Sequence, residues 1–348
     1  MTPNTGVALI VSAGLLAGVS VLPMKYATLW KFENVWLLYN ALALLVVPLC
    51  FLTFGWQQAL STYKAVPTES MILLVALGVG WGVGCILCGI GYTMLGVGVG
   101  MSVVLGVAAV TGSVLPLLIA YPGQLVTAQS MTLFWSISVL LVGLALTARA
   151  GNLREISRPV GSTTDTADIT SFGKGRLSTG VLIALMAGIL SGLFNLGLVY
   201  GFIIRKTALR LGASSALAIN IVWFPLTAGG FFSILIYCCW RIARSNSWSR
   251  YWTKGSFSHW SMIAIMALLY SSSIWLYGFG ASRAGSMGAV FGFPSYMSSV
   301  IIAGNAAGAL TGEWAGVPSR AWLYAAGGLI ALVASIVLVS QVNLAVSQ

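Results

Sequence analysis

SMILLVALGVGWGVGCILCGIGYTMLGVGVGMSVVLGVAAVTGSVLPLLIAYPGQLVTAQSMTLFWSISVLLVGLALTA, residues 70–148, contains no Asp, Glu, Lys, Arg or His. A bilayer core about 30 Å thick needs roughly 20 apolar residues at 1.5 Å of rise each, so the stretch holds three helical spans joined by tight turns. Its apolar runs are continuous and do not alternate in ten-residue pieces, which argues against barrel strands. The rest of the chain matches it. Only 7% of the 348 residues are charged and 58% are apolar, whereas a soluble domain is about a quarter charged. So little charge makes no water-facing surface, and the outside of the molecule must face lipid.

The same reading along the chain predicts an all-α polytopic membrane protein. Its ten transmembrane helices fall near 5–24, 34–54, 70–92, 97–120, 129–148, 179–203, 213–239, 260–282, 286–311 and 322–344. No charge precedes Lys25 and no cleavage site is evident before it, so the first segment reads as a retained span and not a signal peptide. The longest polar stretch, 149–178, carries Arg149, Arg154, Glu155, Arg158, Asp165, Asp168, Lys174 and Arg176. It reads as a cytoplasmic linker between a first five-helix repeat, 1–148, and a second, 179–348.

The halves resemble each other. Gly6-Val7, Ala13-Gly14, Leu16 and Gly18 recur as Gly180-Val181, Ala187-Gly188, Leu190 and Gly192, six identities in thirteen aligned positions. Glu33-Asn34-Val35-Trp36 aligns with Asn220-Ile221-Val222-Trp223. Gly91, Gly96 and Gly123 align with Gly280, Gly285 and Gly312 without a gap. An odd number of spans per repeat turns the second copy upside down. Inverted repeats are characteristic of alternating-access carriers, which bind substrate near the midplane between the copies. Lys and Arg counted by side are twelve against five, the larger set following spans 1, 3, 5, 7 and 9. The positive-inside rule places that side in the cytoplasm and both termini outside.

Several function classes are excluded by the residues available. The formal charge of +11 sits in loops between spans, where it meets anionic headgroups, so no nucleic-acid partner is expected. Cys85-x-x-Cys88 lies within a span with no His or carboxylate beside it, and Cys50, Cys238 and Cys239 are also in or at the ends of apolar runs. They read as packing residues, with no metal or cofactor expected. One histidine, His259, falls in a basic loop, and no span carries paired carboxylates, so an enzyme is not expected. No oligomeric state follows from the sequence.

A carrier driven by protons needs a titrating acid in reach of the substrate path. Of six acidic residues, Glu155, Asp165 and Asp168 lie in the linker and Glu69 begins a span beside Lys64, which leaves Glu33 and Glu313 as proton-coupling candidates. Glu33 leads a face carrying Trp36, Tyr39 and Asn40, a carboxylate at the head of an aromatic and amide stripe that could line a substrate path. A first-turn acid also suits the helix dipole and could pair with Lys25 or Lys31. Glu313 could instead cap backbone amides or pair with Arg320. Asn195, Asn220 and Asn305, with Trp223, Tyr270, Trp275 and Tyr277, complete the polar and aromatic candidates for substrate binding. Each amide has interhelical hydrogen bonding as its alternative use. Trp240, Trp248, Tyr251 and Trp252 read as an interfacial belt.

Five motifs together resemble the L-rhamnose–proton symporter family of the drug/metabolite transporter superfamily. They are Trp30-x-Phe32-Glu33-x-x-Trp36; Trp81-Gly82-x-Gly84 through Gly96-x-x-x-Gly100; Arg149-Ala150-Gly151-x-Leu153-x-Glu155; Tyr277-x-x-Gly280-x-x-Arg283; and Gly308 with Glu313-Trp314. The match runs in order over nearly the whole chain. It implies a secondary-active sugar transporter of a bacterial inner membrane that takes up L-rhamnose or a related monosaccharide with protons. It also adds Trp81 to the substrate-binding candidates. An exporter or exchanger of another small metabolite is the alternative within that superfamily. The chain departs from the family pattern at Cys85-Ile86-Leu87-Cys88, in place of Asn-x-Asn-Tyr, and at Gly288-Ala289, in place of Tyr-Asp.

Overall fold

The computed structural model describes residues 3–27, 29–157, 177–253, 255–285 and 287–345. Its regular elements are thirteen α-helices, and no strand occurs among the described residues. Helix α1 spans Pro3–Ser20, α2 Phe32–Asn40, α3 Val47–Thr53, α4 Trp56–Ala65, α5 Thr68–Leu95, α6 Val97–Ala120 and α7 Ala128–Ile156. Beyond 177 follow α8 Leu177–Tyr200, α9 Phe202–Arg210, α10 Ser215–Ser245, α11 Ser256–Arg283, α12 Gly288–Leu310 and α13 Ser319–Ala345.

Among the described residues nine helical segments are long and apolar enough to cross a bilayer, which makes this a multi-pass membrane protein. The segment expected at 286–311 forms α12, a 23-residue helix that is not among these nine. Its Ser295, Ser298 and Ser299 are buried. Boundaries differ from the hydropathy reading where helices continue past their apolar stretch. Helix α7 runs on to Ile156, so residues 149–156 of the expected linker are helical, and 158–176 lie outside the described residues. Helix α10 runs on to Ser245 and carries Arg241 and Arg244 on its last turns, where cations favour the helix dipole. His259 belongs to α11 and not to a loop.

Local chemistry marks several ends. The Thr127 and Ser214 hydroxyls accept from the Ser130 and Leu217 amides and cap α7 and α10. Gly96, at φ 80°, separates α5 from α6, and Gly285, at φ 100°, separates α11 from α12.

Prolines inside the spans leave carbonyls without intrahelical donors, and side chains of other helices supply them. Pro225 leaves the Ile221 oxygen of α10 free to accept from the Tyr63 hydroxyl at 3.0 Å. Pro116 does the same for Gly112 of α6, which accepts from the Asn195 amide at 2.6 Å. Between α2 and α3 the chain is π-helical over Ala41–Val46. The i+5 donor for Ala43 would be the nitrogen of Pro48, which has no proton; the Ser271 hydroxyl donates to Ala43 instead, at 2.7 Å.

Small residues let these helices approach closely. A Cβ on Gly78 of α5 would lie 2.0 Å from the Leu226 oxygen of α10, and one on Gly82 2.3 Å from the Gly230 oxygen. Gly14 and Gly18 bring α1 against α12 in the same way, while Gly188 and Gly192 bring α8 against α6. Helix α7 meets α13 through a mutual pair of buried hydroxyls, Ser136 and Ser335, at 2.9 Å.

Candidate functional site

A cavity of about 160 Å³ lies between the α2–α3 span, α10 and α11. That is room for about five waters. Its walls include Pro48 and Phe51, Asn220, Trp223 and Thr227, and Ser271 and Trp275. Most of the polar groups are already engaged. The Asn220 amide donates to the Pro48 oxygen at 2.9 Å, Thr227 to the Trp223 oxygen at 2.9 Å, and the Trp275 indole to the Ala216 oxygen at 3.2 Å. Trp223 is the exception. Its side chain is 1% exposed, and its indole N–H is buried without an acceptor. A buried donor without a partner is costly, and this one packs against Gly278 of α11, where a Cβ would lie 2.4 Å from it.

The Trp223 ring belongs to a continuous aromatic core. It stacks on Phe194 at 4.7 Å, Phe194 meets Trp81 at 4.9 Å, and Tyr277 lies 6.4 Å from Trp223 and 4.7 Å from Tyr296. Tyr39 meets Tyr270 at 5.8 Å and Trp36 at 5.5 Å, and Trp36 stacks on Phe32. The structure therefore gathers Asn220, Trp223 and Trp275 on the cavity wall, with Trp81 and Tyr277 joined to it through Trp223. Tyr39, Trp36 and Tyr270 form a second aromatic run.

The remaining candidate amides donate to backbone carbonyls. Asn40 bonds back to the Trp36 oxygen at 2.7 Å and Asn305 back to Ile301 at 2.9 Å, each within its own helix. Asn195 donates to Gly112 and Ala289 and accepts from the Tyr277 hydroxyl at 2.5 Å, which joins α8 to α6, α11 and α12. Tyr296, Phe194 and Ser271 escaped the sequence reading. No spacing marks them, because their partners are far away in the chain.

The two carboxylates have different surroundings. Glu33 is 5% exposed in the first turn of α2 and accepts from the Ser245 hydroxyl at 2.9 Å. Lys25, one of its expected partners, binds Glu313 instead, and among the described residues Glu33 makes no ion pair. Its chain neighbours Asn34 and Trp30 join a cluster of donors and rings. Asn34 donates to the Ser247 oxygen at 3.1 Å, Tyr251 donates to the Asn34 oxygen at 3.0 Å, and Trp30 contacts Tyr251, His259 and Trp260. Burial pushes the Tyr251 phenol up to about 12, so it stays a neutral donor. Tyr251 is thus part of a packed knot, while Trp240, Trp248 and Trp252 are exposed as a belt requires. The His259 ring accepts from the Leu29 amide at 3.2 Å.

Glu313 does not pair with Arg320. One of its oxygens accepts from Lys25, which also donates to Thr311 at 2.9 Å, and the other accepts from Arg154 at 2.6 Å. The Arg154 guanidinium also lies 5.7 Å from the Trp314 ring centre. This cluster ties the chain after α1 and the end of α7 to the end of α12. Among the described residues no group of three or more His, Cys, Asp or Glu could hold a metal ion.

The comparisons with known proteins concern the whole of this architecture. A family model described as L-rhamnose-proton symport protein (RhaT) matches residues 6–345. The L-rhamnose-proton symporter of Cronobacter sakazakii is 23% identical over 302 residues, covering 84% of both chains. That of Mannheimia succiniciproducens is 24% identical over 303 residues, again 84% of both.

Proposed function

This chain belongs to the L-rhamnose-proton symport protein family, and from that membership we propose that it takes up L-rhamnose or a related monosaccharide with protons by alternating access. The observation that carries the site is the set of rings on the wall of the 160 Å³ cavity, Trp223, Trp275 and Phe51, beside Asn220 and Ser271. Those rings suit the C–H faces of a sugar, and the amide and hydroxyl side chains suit its oxygens.

Glu33 is the proton-coupling carboxylate in this reading. Glu313 is held by two cations, so protonating it would break an ion cluster. Glu33 accepts from one hydroxyl and has no cationic partner among the described residues, so it can exchange charge for a proton without that loss. Glu33→Gln then abolishes gradient-driven accumulation and leaves counterflow exchange intact. The Lys25–Glu313–Arg154 cluster is the contact that parts when the cytoplasmic end opens.

Alternating access in turn calls for ten crossings in two inverted repeats, 1–148 and 179–348, with α12 as the ninth crossing. Three features support this. Helix α1 packs on α11 and α12 as α8 packs on α5 and α6. Gly96 and Gly285 both have positive φ, 80° and 100°. Gly14 and Gly18 make close helix contacts, as do their counterparts Gly188 and Gly192. The drug/metabolite superfamily, the bacterial inner membrane and external termini complete the reading, the last from the twelve-to-five bias of Lys and Arg.

The test is uptake into proteoliposomes of a panel of deoxy- and aldohexoses, with and without an inward proton gradient. Gradient-dependent accumulation of L-rhamnose or a near relative is expected. Exchange that ignores the gradient would replace symport with the exchanger alternative.

A further inference from the structure

A second polar chamber lies near the opposite end of the bundle from the Glu313 cluster. Arg205 of α9 lines a cavity of about 370 Å³ walled by α8, α9, α10 and α11, with Tyr121 and Ser282 as further polar groups. The Arg205 Nε is buried and has no hydrogen-bond partner. No carboxylate lines the chamber, and among the described residues no acid pairs with Arg205. Glu69 precedes Ser70, which lines a neighbouring cavity, and its side chain is exposed. Burial pushes the Tyr121 phenol up, which keeps it a neutral donor. A chamber with a guanidinium and no acid fits an anionic acceptor.

What the chamber opens onto identifies that acceptor. A neighbouring cavity of about 290 Å³ shares Tyr121, Val199 and Phe202 with it and continues over Leu73 and Ile203. Leu73, Phe202 and Ile203 are all exposed, so this groove is apolar on a face that meets lipid. Helix α9 adds exposed Lys206 and Arg210 beside it. A short helix with basic and apolar exposed residues at a span end has the composition of an interfacial lipid-binding element.

We propose that this chamber and groove form a site for an anionic phospholipid, its phosphate on Arg205 and an acyl chain along Phe202 and Ile203. The site is separate from the sugar cavity and does not depend on which sugar is carried. A lipid bound there packs between α9 and the ends of α10 and α11, so it stabilises their arrangement.

The full-length protein in detergent is titrated with phosphatidylglycerol or phosphatidylcholine, and bound lipid is counted by native mass spectrometry alongside thermal melting. Phosphatidylglycerol should be retained and should raise the melting temperature more than phosphatidylcholine. Arg205→Gln should weaken its retention about five-fold, the worth of one basic side chain beside an anionic headgroup. Lys206→Gln, on the exposed side of α9, should change it less. Phe202→Glu puts a carboxylate at the groove mouth and should also lower retention, giving a second readout should Arg205→Gln fold poorly. Equal retention by wild type and both site variants overturns the proposal. Glycerol 3-phosphate or inorganic phosphate matching the lipid's stabilisation at millimolar concentration overturns it too, in favour of a small soluble anion. Because lipid is counted without transport, failure here leaves the sugar reading standing.

Discussion

Asn195 on α8 donates its amide to the Gly112 oxygen of α6 at 2.6 Å, the oxygen that Pro116 deprives of its intrahelical donor. A proline in one half of the chain and an amide in the other thus solve one hydrogen-bonding problem. Asn195→Leu should strand that oxygen and lower stability by about 1–3 kcal/mol. Pro116→Ala restores a backbone donor to Gly112, so the double variant should recover part of the loss. Thermal melting of the four proteins reads the coupling. Additive effects would show that the amide and the proline act independently.

Trp223→Phe leaves a phenyl ring against Phe194 and removes the five-membered ring with its N–H. Sugar affinity should fall about ten-fold through the lost ring surface, roughly 1.4 kcal/mol. Stability should also fall, by about 1–2 kcal/mol, because a side chain 1% exposed loses buried ring atoms. Tryptophan-quench titration and melting measure the two effects separately. Unchanged affinity would remove the indole from the substrate site.

Gly78→Ala tests the α5–α10 crossing. The added methyl would lie 2.0 Å from the Leu226 oxygen, a backbone atom that moves only with its helix. Overpacking of this kind costs about 1–3 kcal/mol. Gly89→Ala, whose methyl meets nothing within 4 Å, should be neutral or slightly stabilising. Melting temperatures of the pair decide; equal values would mean that the helices separate without penalty.

Glu313→Gln removes the shared acceptor of Lys25 and Arg154. Their side chains are 39% and 19% exposed, so solvent screens the Lys25 arm and the Arg154 arm dominates. The expected loss is about 1 kcal/mol, larger at low salt. If the cluster holds the cytoplasmic end closed, a cysteine placed on that side near Thr311 should also label faster in Glu313→Gln. Unchanged labelling would make the cluster purely structural.

Hydropathy located the spans because the penalty for charge in hydrocarbon acts residue by residue and leaves its mark on composition alone. Helix α12 is the instructive exception. Its Ser295, Ser298 and Ser299 are buried, and it packs among α1, α6 and α13. Helix ends were read short at α7 and α10, because backbone hydrogen bonding continues into polar residues that a hydropathy count excludes.

The site was legible in kind and not in arrangement. Residue type alone nominated Glu33, Glu313 and the intramembrane amides and aromatics, since such groups are expensive in a bilayer wherever they sit. Three-dimensional partners then divided them. Asn40 and Asn305 bond within their own helices, Asn195 serves a proline-freed carbonyl, and Trp223 has a buried donor without an acceptor. Glu313 takes Lys25 and Arg154, residues 288 and 159 positions away, in place of the neighbouring Arg320. By itself the sequence determined that this is a helical membrane protein, together with its few possible acids and its family resemblance, because those follow from composition and from short local motifs. Tertiary structure alone decided which polar groups find partners and which do not. Hydrogen bonds and ion pairs form between neighbours in space, and packing brings together residues that no local spacing connects.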